Sequence, residues 1–237
     1  ITVLVLPIKK PEEGGFDLIV FDVGQGSSAL IKTTNHHVLV DTGALFFNGL
    51  GVVDFVLIPY LRQQRIPRLD VLHITHSDND HAGGAVLLAG RSHEVITQDN
   101  CESQRWQYDG VIFERFQAKG YTTGNNGSCL LKVTASSGRS VLFTGDIEKE
   151  AEAQLIQQNA QLTSNLLIAP HHGSRTSSTD EFLDEVAADT VIVSAGFLNR
   201  YGHPHEQIIS KYLDRNMMVY TTADKGSLQV AFPPRQE

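Results

Sequence analysis

The sequence predicts an α/β fold that has two β-sheets with helices outside them. Short apolar runs of strand length, rich in Val, Ile and Leu, follow one another through the first half of the chain. In the last third, strand-like and helix-like patterns alternate. The chain has 237 residues, of which 41% are hydrophobic, and this is enough for a sizeable core. We therefore expect a single domain that spans residues 1–237.

Strand patterns dominate the first part of the chain, and two helical patterns interrupt them. Apolar residues recur at helical spacing over residues 52–65, and Pro67 ends this helix. A second helix, made of small residues, is predicted over residues 82–89, where Gly83 and Gly84 would allow close packing. The strands predicted in this part cover residues 16–22, 27–32, 38–41, 69–75, 111–116, 129–134 and 140–143.

Capping signals define the helices of the last part. A helix over residues 147–159 begins with Glu residues, which the helix dipole favours. Residues 178–181 have a capping-box pattern that opens a helix to about Ala187. Pro204 suits the first position of a helix over residues 204–215, which would make His203 its N-cap. The remaining predicted strands cover residues 166–169, 190–194, 218–221 and 227–232.

The composition excludes several classes of protein. A formal charge of −8 argues against a protein that holds nucleic acid by bulk electrostatics alone. No apolar run approaches the roughly 20 residues that a membrane span needs. Cys101 and Cys129 allow at most one disulfide and match no zinc pattern, and we interpret them as two core or loop thiols. The 10 histidines make metal binding the main question, because histidine is the commonest metal ligand.

One short segment concentrates residues that can bind a metal ion. His76, Asp78, Asp80 and His81 lie where a predicted buried strand meets a helix. In extended backbone His76 and Asp78 point the same way, and Asp80 and His81 can face back toward them from the first helical turn. Without a cation, two carboxylates and two imidazoles crowded at one strand end would be poorly satisfied. The alternative is a solvated polar turn.

Two later strands also end in residues of this type. The apolar residues 141–143 lead to Asp146, and the strand over residues 166–169 leads to His171 and His172. Ligands gather at the ends of buried strands in α/β folds. Three strand ends that carry such residues therefore predict one shared site.

These residues resemble those of the metallo-β-lactamase superfamily. The segment from His76 to His81 matches the superfamily signature His-x-His-x-Asp-His, with Asp in place of the second His. Asp41 resembles the early structural Asp of the superfamily, Asp146 its bridging carboxylate and His172 its late His ligand. The resemblance implies an αββα sandwich with two mixed sheets face to face and helices outside.

A closer resemblance is to the C-terminal hydrolase domain of the ComEC competence proteins, which form the inner-membrane channel for DNA uptake. The resemblance extends over roughly residues 16–205, and no single block of it is specific alone. It implies a domain of a larger membrane protein, on the periplasmic or extracellular face, that cleaves the DNA strand that is not transported. The remainder of the channel protein and DNA would be its partners. The blocks that carry the likeness are residues 21–26, 58–62, 76–81, 171–174 and 199–205.

The resemblance implies a site for two divalent cations. Asp146 would lie between them, and Asp80 and Asp146 would be catalytic as well as metal-binding. Three carboxylates among six ligands make Mn²⁺ a candidate beside Zn²⁺. One ion would be held by Asp80, His81 and His172, and the other by His76 and Asp78, with His171 as the alternative to His172.

Further residues are candidates for contact with the substrate. His203 is expected either to hold a phosphate or protonate a leaving oxygen, or simply to cap a helix. The weaker candidates for substrate binding are Ser174, Ser128, Asn126, Gln25 and His205. His36, His37, His73 and His93 match no motif, and we interpret them as structural.

Two departures from the family pattern keep other functions open. The family has Asp after Gly-Gln-Gly, where this chain has Ser27, and the intermediate His ligand has no counterpart because only His93 lies between His81 and Asp146. The principal hypothesis is a metal-dependent deoxyribonuclease. The alternatives are a metallohydrolase of a small ester, such as a phosphocholine ester or a lactone, and a degenerate domain that binds DNA or a partner without catalysis.

Overall fold

The computed structural model describes residues 10–236, and its strands form two mixed sheets. The first sheet has the order β13-β1-β2-β3-β4-β5, and the second has the order β12-β11-β10-β9-β8-β7-β6. The strands are β1 Phe16–Val20, β2 Ala29–Lys32, β3 His37–Val40, β4 Leu69–His73, β5 Ser92–Ile96, β6 Gln104–Tyr108, β7 Val111–Phe116, β8 Leu130–Thr134, β9 Ser140–Phe143, β10 Leu166–Ile168, β11 Thr190–Val193, β12 Met218–Thr221 and β13 Leu228–Phe232.

Helices cover the outer faces of both sheets. A π-helical turn, Val53–Leu57, continues directly into α1, and short 3-10 turns occur at Gln98–Asn100, Asn125–Gly127 and Pro170–Gly173. The α-helices are α1 Ile58–Gln63, α2 Asn79–Ala82, α3 Ala85–Ala89, α4 Lys149–Gln157, α5 Asp180–Val186, α6 Glu206–Asp214 and α7 Thr222–Lys225. Among residues 10–236 there is no helix long and apolar enough to cross a membrane.

Three apolar clusters hold the layers together. The central one lies between the sheets and includes Phe16, Phe113 and Ile192, all 1% exposed or less. The other two lie between each sheet and its helices: Leu57 belongs to the first outer cluster and Phe182 to the second. Both faces of each sheet are therefore buried, as an αββα sandwich requires, and the predicted fold class is confirmed.

Parallel strands bring the site residues to one end of the sandwich. β3 and β4 are parallel neighbours in the first sheet, as are β9 and β10 in the second. The segments that follow these four strands therefore leave the sheets in the same direction. These segments contain Asp41, the residues from His76 to His81, Asp146 and the His171–His172 pair.

Several predicted boundaries differ from the observed ones. α6 begins at Glu206, so its N-cap is His205, and the prediction that His203 caps a helix starting at Pro204 is wrong. The N-cap of α5 is Thr179, whose side chain accepts a hydrogen bond from the Phe182 N–H. β5 and β6 were not predicted, because their residues SHEVI and QRWQY lack an apolar run.

The glycine pair after the His76–His81 segment has the packing role expected of it. The predicted helix over residues 82–89 is divided at Gly83 and Gly84 into α2 and α3. A methyl group at Gly83 would collide with the backbone of Leu45, and one at Gly84 with the side chain of Val53. These two positions therefore need glycine because the backbone passes very close to its neighbours.

Cys101 and Cys129 form a disulfide, so their interpretation as two thiols is wrong. Their Cα atoms are 5.7 Å apart, although 28 residues separate them along the chain. The bond joins the loop after the Gln98–Asn100 turn to the residue that precedes β8. Cys129 also donates its N–H to the Thr75 carbonyl and accepts a hydrogen bond from His73 Nε2. The cross-link therefore holds the connection between β5 and β6 against the start of β8, beside the end of β4.

Loss of this disulfide is expected to destabilise the domain by about 3–4 kcal/mol, because closing a loop of this length lowers the entropy of the unfolded chain. Cys101→Ala should show this loss in urea unfolding, and dithiothreitol should destabilise the wild-type chain by a similar amount. The same reductant should leave Cys101→Ala unchanged. Equal unfolding midpoints for oxidised and reduced wild-type protein would contradict the prediction.

Candidate metal centre

Four buried or half-buried side chains from both sheets meet at the end of the sandwich. They are Asp80, His81, Asp146 and His172, and one ligand atom from each lies within 4.8 Å of all the others. The closest pairs are His81 Nε2 with Asp146 Oδ1, at 3.0 Å, and His81 Nε2 with His172 Nε2, at 3.1 Å. His172 Nε2 is 3.4 Å from Asp80 Oδ2 and 3.5 Å from Asp146 Oδ2. This set matches the predicted ligands of one of the two cations.

The second nitrogen of each central imidazole is already held by the protein. His172 Nδ1 lies 2.7 Å from the Ser194 carbonyl, which can only accept, so this nitrogen carries the proton. His81 Nδ1 lies 2.8 Å from Asp41 Oδ2 and donates to it in the same way. In the neutral rings the two Nε2 lone pairs consequently face one another, and a cation between them resolves the repulsion. The residues present therefore fit a divalent metal ion.

Carboxylates surround the two imidazoles and favour their positive charge. Burial lowers the pKa of His81, but the charges of Asp146 and Asp41 outweigh it and raise that pKa well above its usual value. Burial raises the pKa of Asp146, but His172 and His81 outweigh it and hold that pKa well below its usual value. The site therefore carries strong negative potential, as expected where a cation binds.

His76 belongs to a second, looser group beside the first. Its ring is fully buried, and Nε2 has no hydrogen-bond partner in residues 10–236. This atom lies 3.8 Å from Asp78 Oδ2 and 3.9 Å from Asp146 Oδ2, while His171 Nε2 approaches Asp146 Oδ2 to 3.8 Å. An unpartnered buried nitrogen aimed at carboxylates again fits a cation. Asp146 is thus common to both groups.

The turn that carries the two adjacent histidines has an uncommon backbone. His171 and His172 have φ values of 47° and 55°, in the left-handed region, and Gly173 follows at 79°. Such angles cost energy for residues with a side chain. Backbone hydrogen bonds hold the turn, from Ser174 N to His171 O and from His205 N to Gly173 O. As a result, both imidazoles reach the neighbourhood of Asp146.

A buried carboxylate supports the segment after this turn. Glu152, on α4, is completely buried and accepts hydrogen bonds from the Ser178 N–H, the Thr179 N–H and the Thr179 hydroxyl. These bonds fix the start of α5 against α4. The sequence does not predict this supporting role of Glu152, because nothing distinguishes it from any other Glu near the start of a helix.

Two more histidines stand at the edge of the site. The His203 ring centroid is 5.7 Å from that of His171 and 6.4 Å from that of His172. His203 Nδ1 is buried without a hydrogen-bond partner in the described chain. Burial, reinforced by the neighbouring imidazoles, lowers the pKa of His203 to about 4. His205 lies beside it, with ring centroids 5.1 Å apart.

Two of the predicted substrate contacts instead position the segment around Asp146. Ser128 is fully buried, and its hydroxyl donates to the Asn125 carbonyl and accepts from the Asp146 N–H. Asn126 accepts a hydrogen bond from the Glu148 N–H. Both side chains thus form hydrogen bonds within the protein that hold the backbone around Asp146.

Ser174 and Gln25, two further predicted substrate contacts, also have partners within the protein. Ser174 is 6% exposed, and its hydroxyl lies 3.1 Å from that of Thr176. Gln25 is half-buried, accepts a hydrogen bond from the Gly196 N–H and lines a cavity together with Asp80. Of these predicted contacts, Gln25 is thus the one that shares an open surface with a ligand residue.

The intermediate His ligand of the superfamily has no substitute among the described residues between His81 and Asp146. His93 is exposed on β5, and it is absent from the group of candidate ligands found among the described residues. The stretch before Asp146 instead supplies the Asn125–Gly127 turn and the buried Ser128.

The fold and this site define a metallo-β-lactamase-type domain. Residues 21–97 match the family model described as the metallo-beta-lactamase superfamily. The fold also matches the metallo-beta-lactamase fold protein YhfI from Bacillus subtilis, with a TM-score of 0.59 and 13% identity over 91% of this chain and 99% of that one. The chain is thus similar to the metallo-beta-lactamase superfamily in sequence over residues 21–97 and in fold over most of its length.

The chain is also similar in sequence to longer proteins, one of which is named for competence. It is 36% identical to competence protein ComA of Neisseria gonorrhoeae, over 89% of this chain and 31% of that protein. It is 29% identical to ComE operon protein 3 of Bacillus subtilis (strain 168), over 94% of this chain and 34% of that protein. The chain thus spans about a third of the length of these relatives, and the predicted resemblance to competence proteins is confirmed.

Proposed function

We propose that this chain is the metal-dependent nuclease domain of a DNA-uptake protein and hydrolyses phosphodiester bonds of the DNA strand that is not transported. The observation that carries the proposal is the buried group of Asp80, His81, Asp146 and His172 in a chain similar to competence proteins. Carboxylates and imidazoles in this arrangement suit Mn²⁺ or Zn²⁺. Two such ions, when bound, lower the pKa of water and stabilise charge on phosphoryl oxygens.

Each part of the site has a distinct task in this proposal. Asp80, His81 and His172 would hold one ion, and His76 and Asp78 the other, with Asp146 between them. Asp41 and the Ser194 carbonyl fix the tautomers of His81 and His172, so that Nε2 faces the site in both. His203 stands at the open edge, where it can contact a phosphate or a leaving oxygen. His171, on the side of Asp146, is available to the second ion.

The disulfide supports a position on the outer face of the membrane. Disulfides persist in oxidising compartments and are rare in the cytosol. The bond between Cys101 and Cys129 therefore favours a periplasmic or extracellular domain, attached to the rest of a channel protein.

A cleavage assay on single-stranded and double-stranded DNA tests the proposed activity. With Mn²⁺ or Zn²⁺ added, the wild-type chain should cleave DNA, and Asp80→Ala should lower the rate more than about 100-fold because a ligand of the ion is lost. The matched control is Glu185→Gln, which changes an exposed carboxylate on α5. Absence of cleavage with either metal, or equal cleavage by Asp80→Ala, would reject the nuclease. Hydrolysis of a phosphocholine ester or a lactone instead would favour a small-ester hydrolase.

A further inference from the structure

An open cleft lies directly beside the metal centre. Its volume is about 610 Å³, within the range of about 300–1,000 Å³ that small-molecule sites occupy. Asp80 belongs both to this cleft and to the group of candidate ligands. A molecule bound in the cleft would therefore lie next to the place where the reacting phosphate is expected. The lining residues include Gln25, Phe46, Asp80, Phe197, Arg200 and Tyr201.

Three aromatic side chains of the cleft are exposed. Phe46 is 48% exposed, Phe197 73% and Tyr201 48%. They come from two loops, one after β3 and the other after β11. Large exposed aromatic surfaces cost free energy in water, and next to a catalytic site they indicate a ligand that covers them.

The side chain of Asn199 holds the loop after β11 through hydrogen bonds to its backbone. Asn199 donates two hydrogen bonds from its amide nitrogen, to the carbonyls of Gly196 and His203. Its amide oxygen accepts from the N–H groups of Tyr201 and His203. Asn199 thus ties the loop that carries Phe197 and Tyr201 to His203, at the edge of the metal centre.

The charge of the cleft favours a ligand that carries phosphate. Arg200 lies over the Tyr201 ring, with its guanidinium carbon 4.7 Å from the ring centroid. Asp80 is the only carboxylate among the residues that line the cleft, and it faces the metal centre. With cations bound there, Arg200 and the centre would both attract an anion, while the aromatic rings offer faces for stacking.

We propose that this cleft binds an unpaired nucleotide next to the phosphodiester at the metal centre, with its base stacked on Phe197 and its phosphate near Arg200, which lies over the Tyr201 ring. The proposal rests on the nuclease function and deepens it by naming the substrate as single-stranded DNA. Paired bases are stacked inside a duplex, so their faces cannot reach the Phe197 ring. Stacking on aromatic side chains also accepts any base, which suits an enzyme that degrades a strand regardless of its sequence.

Binding of a fluorescein-labelled oligothymidylate, measured by fluorescence anisotropy in Ca²⁺, tests the proposal against an abasic oligonucleotide of equal length. The wild-type chain should bind the oligothymidylate more tightly. Phe197→Ala should weaken that binding about 5- to 100-fold, and it should leave binding of the abasic strand unchanged. Tyr201→Ala removes the ring beneath Arg200 and should weaken binding of both strands. Tyr220→Ala, which removes a partly exposed tyrosine on β12 outside this cleft, is the matched control.

The outcomes separate this proposal from the nuclease itself. Equal affinity for the oligothymidylate and the abasic strand, or variants without effect, would overturn the cleft proposal even if the chain cleaves DNA. Base-dependent binding without cleavage in any metal would leave the cleft proposal standing and reject the nuclease. The cleft proposal would also be overturned if the chain bound vesicles of anionic phospholipid and Phe197→Ala abolished that binding without any effect on oligonucleotide binding. The exposed aromatic side chains would then be assigned to contact with a membrane surface.

Discussion

Asp146→Asn is expected to empty the metal centre and to abolish hydrolysis. One oxygen of Asp146 lies 3.0 Å from His81 Nε2, and the other lies 3.5 Å from His172 Nε2 and 3.9 Å from His76 Nε2. The neutral amide removes the negative charge that both groups of ligands share. Metal affinity should therefore fall more than about 100-fold, and DNA cleavage should fall with it.

Metal analysis of the dialysed protein gives a result that does not depend on activity. The wild-type chain should retain Zn²⁺ or Mn²⁺ through dialysis, and Asp146→Asn should retain little. Glu185→Gln again serves as the control, since its carboxylate is exposed and Glu185 is not among the candidate ligands found in the described residues. If Asp146→Asn kept the metal content of the wild type, Asp146 would not be the shared ligand.

Asp41→Ala is expected to cost both stability and metal affinity. The carboxylate is 1% exposed and accepts hydrogen bonds from the Thr75 N–H, the Thr75 hydroxyl and His81 Nδ1. Removing it leaves these buried donors without a partner, which should lower the free energy of unfolding by about 3 kcal/mol. It also releases the tautomer and orientation of His81, so metal affinity should fall about 10- to 100-fold.

Asp41→Asn separates these two effects. The amide oxygen can still accept from Thr75, so the variant should fold, and urea unfolding in the presence of a chelator should confirm it. Its metal affinity, measured by isothermal titration calorimetry, should nevertheless fall, because a neutral amide holds the His81 Nδ1–H less strongly than a carboxylate. A folded Asp41→Asn with wild-type affinity would show that Asp41 supports the fold alone.

The fold class and the group of candidate ligands could be predicted because both depend on local pattern. Apolar strands end in His, Asp or Gly-Asp, and parallel strands that end together must bring those residues to one edge. The spacing from His76 to His81 therefore predicts which strand end carries candidate metal ligands. The choice of His172 over His171 depends on the resemblance alone, because two adjacent histidines look alike in the sequence. In the structure His172 belongs to the group of four candidate ligands, while His171 Nε2 lies 3.8 Å from Asp146 Oδ2.

Features that depend on long-range contacts were not predictable. The 28 residues between Cys101 and Cys129 do not reveal that their Cα atoms lie 5.7 Å apart. Ser194 orients His172 through its carbonyl, a group that every residue has, so its sequence identity contains no signal. Phe46 and Tyr201 come from loops separated by most of the chain, and only the folded sandwich places them in one cleft.

The candidate ligands come from both sheets: Asp80 and His81 follow a strand of the first, whereas Asp146 and His172 follow strands of the second. A divalent ion held by all four would fasten the two layers together at one end of the sandwich. Because the unfolded chain lacks this arrangement, the ion would bind the folded state selectively, and at about 100 times its dissociation constant it would add ~2.7 kcal/mol to stability. The free concentration of the metal would then govern how much of this domain is folded, besides its rate of catalysis.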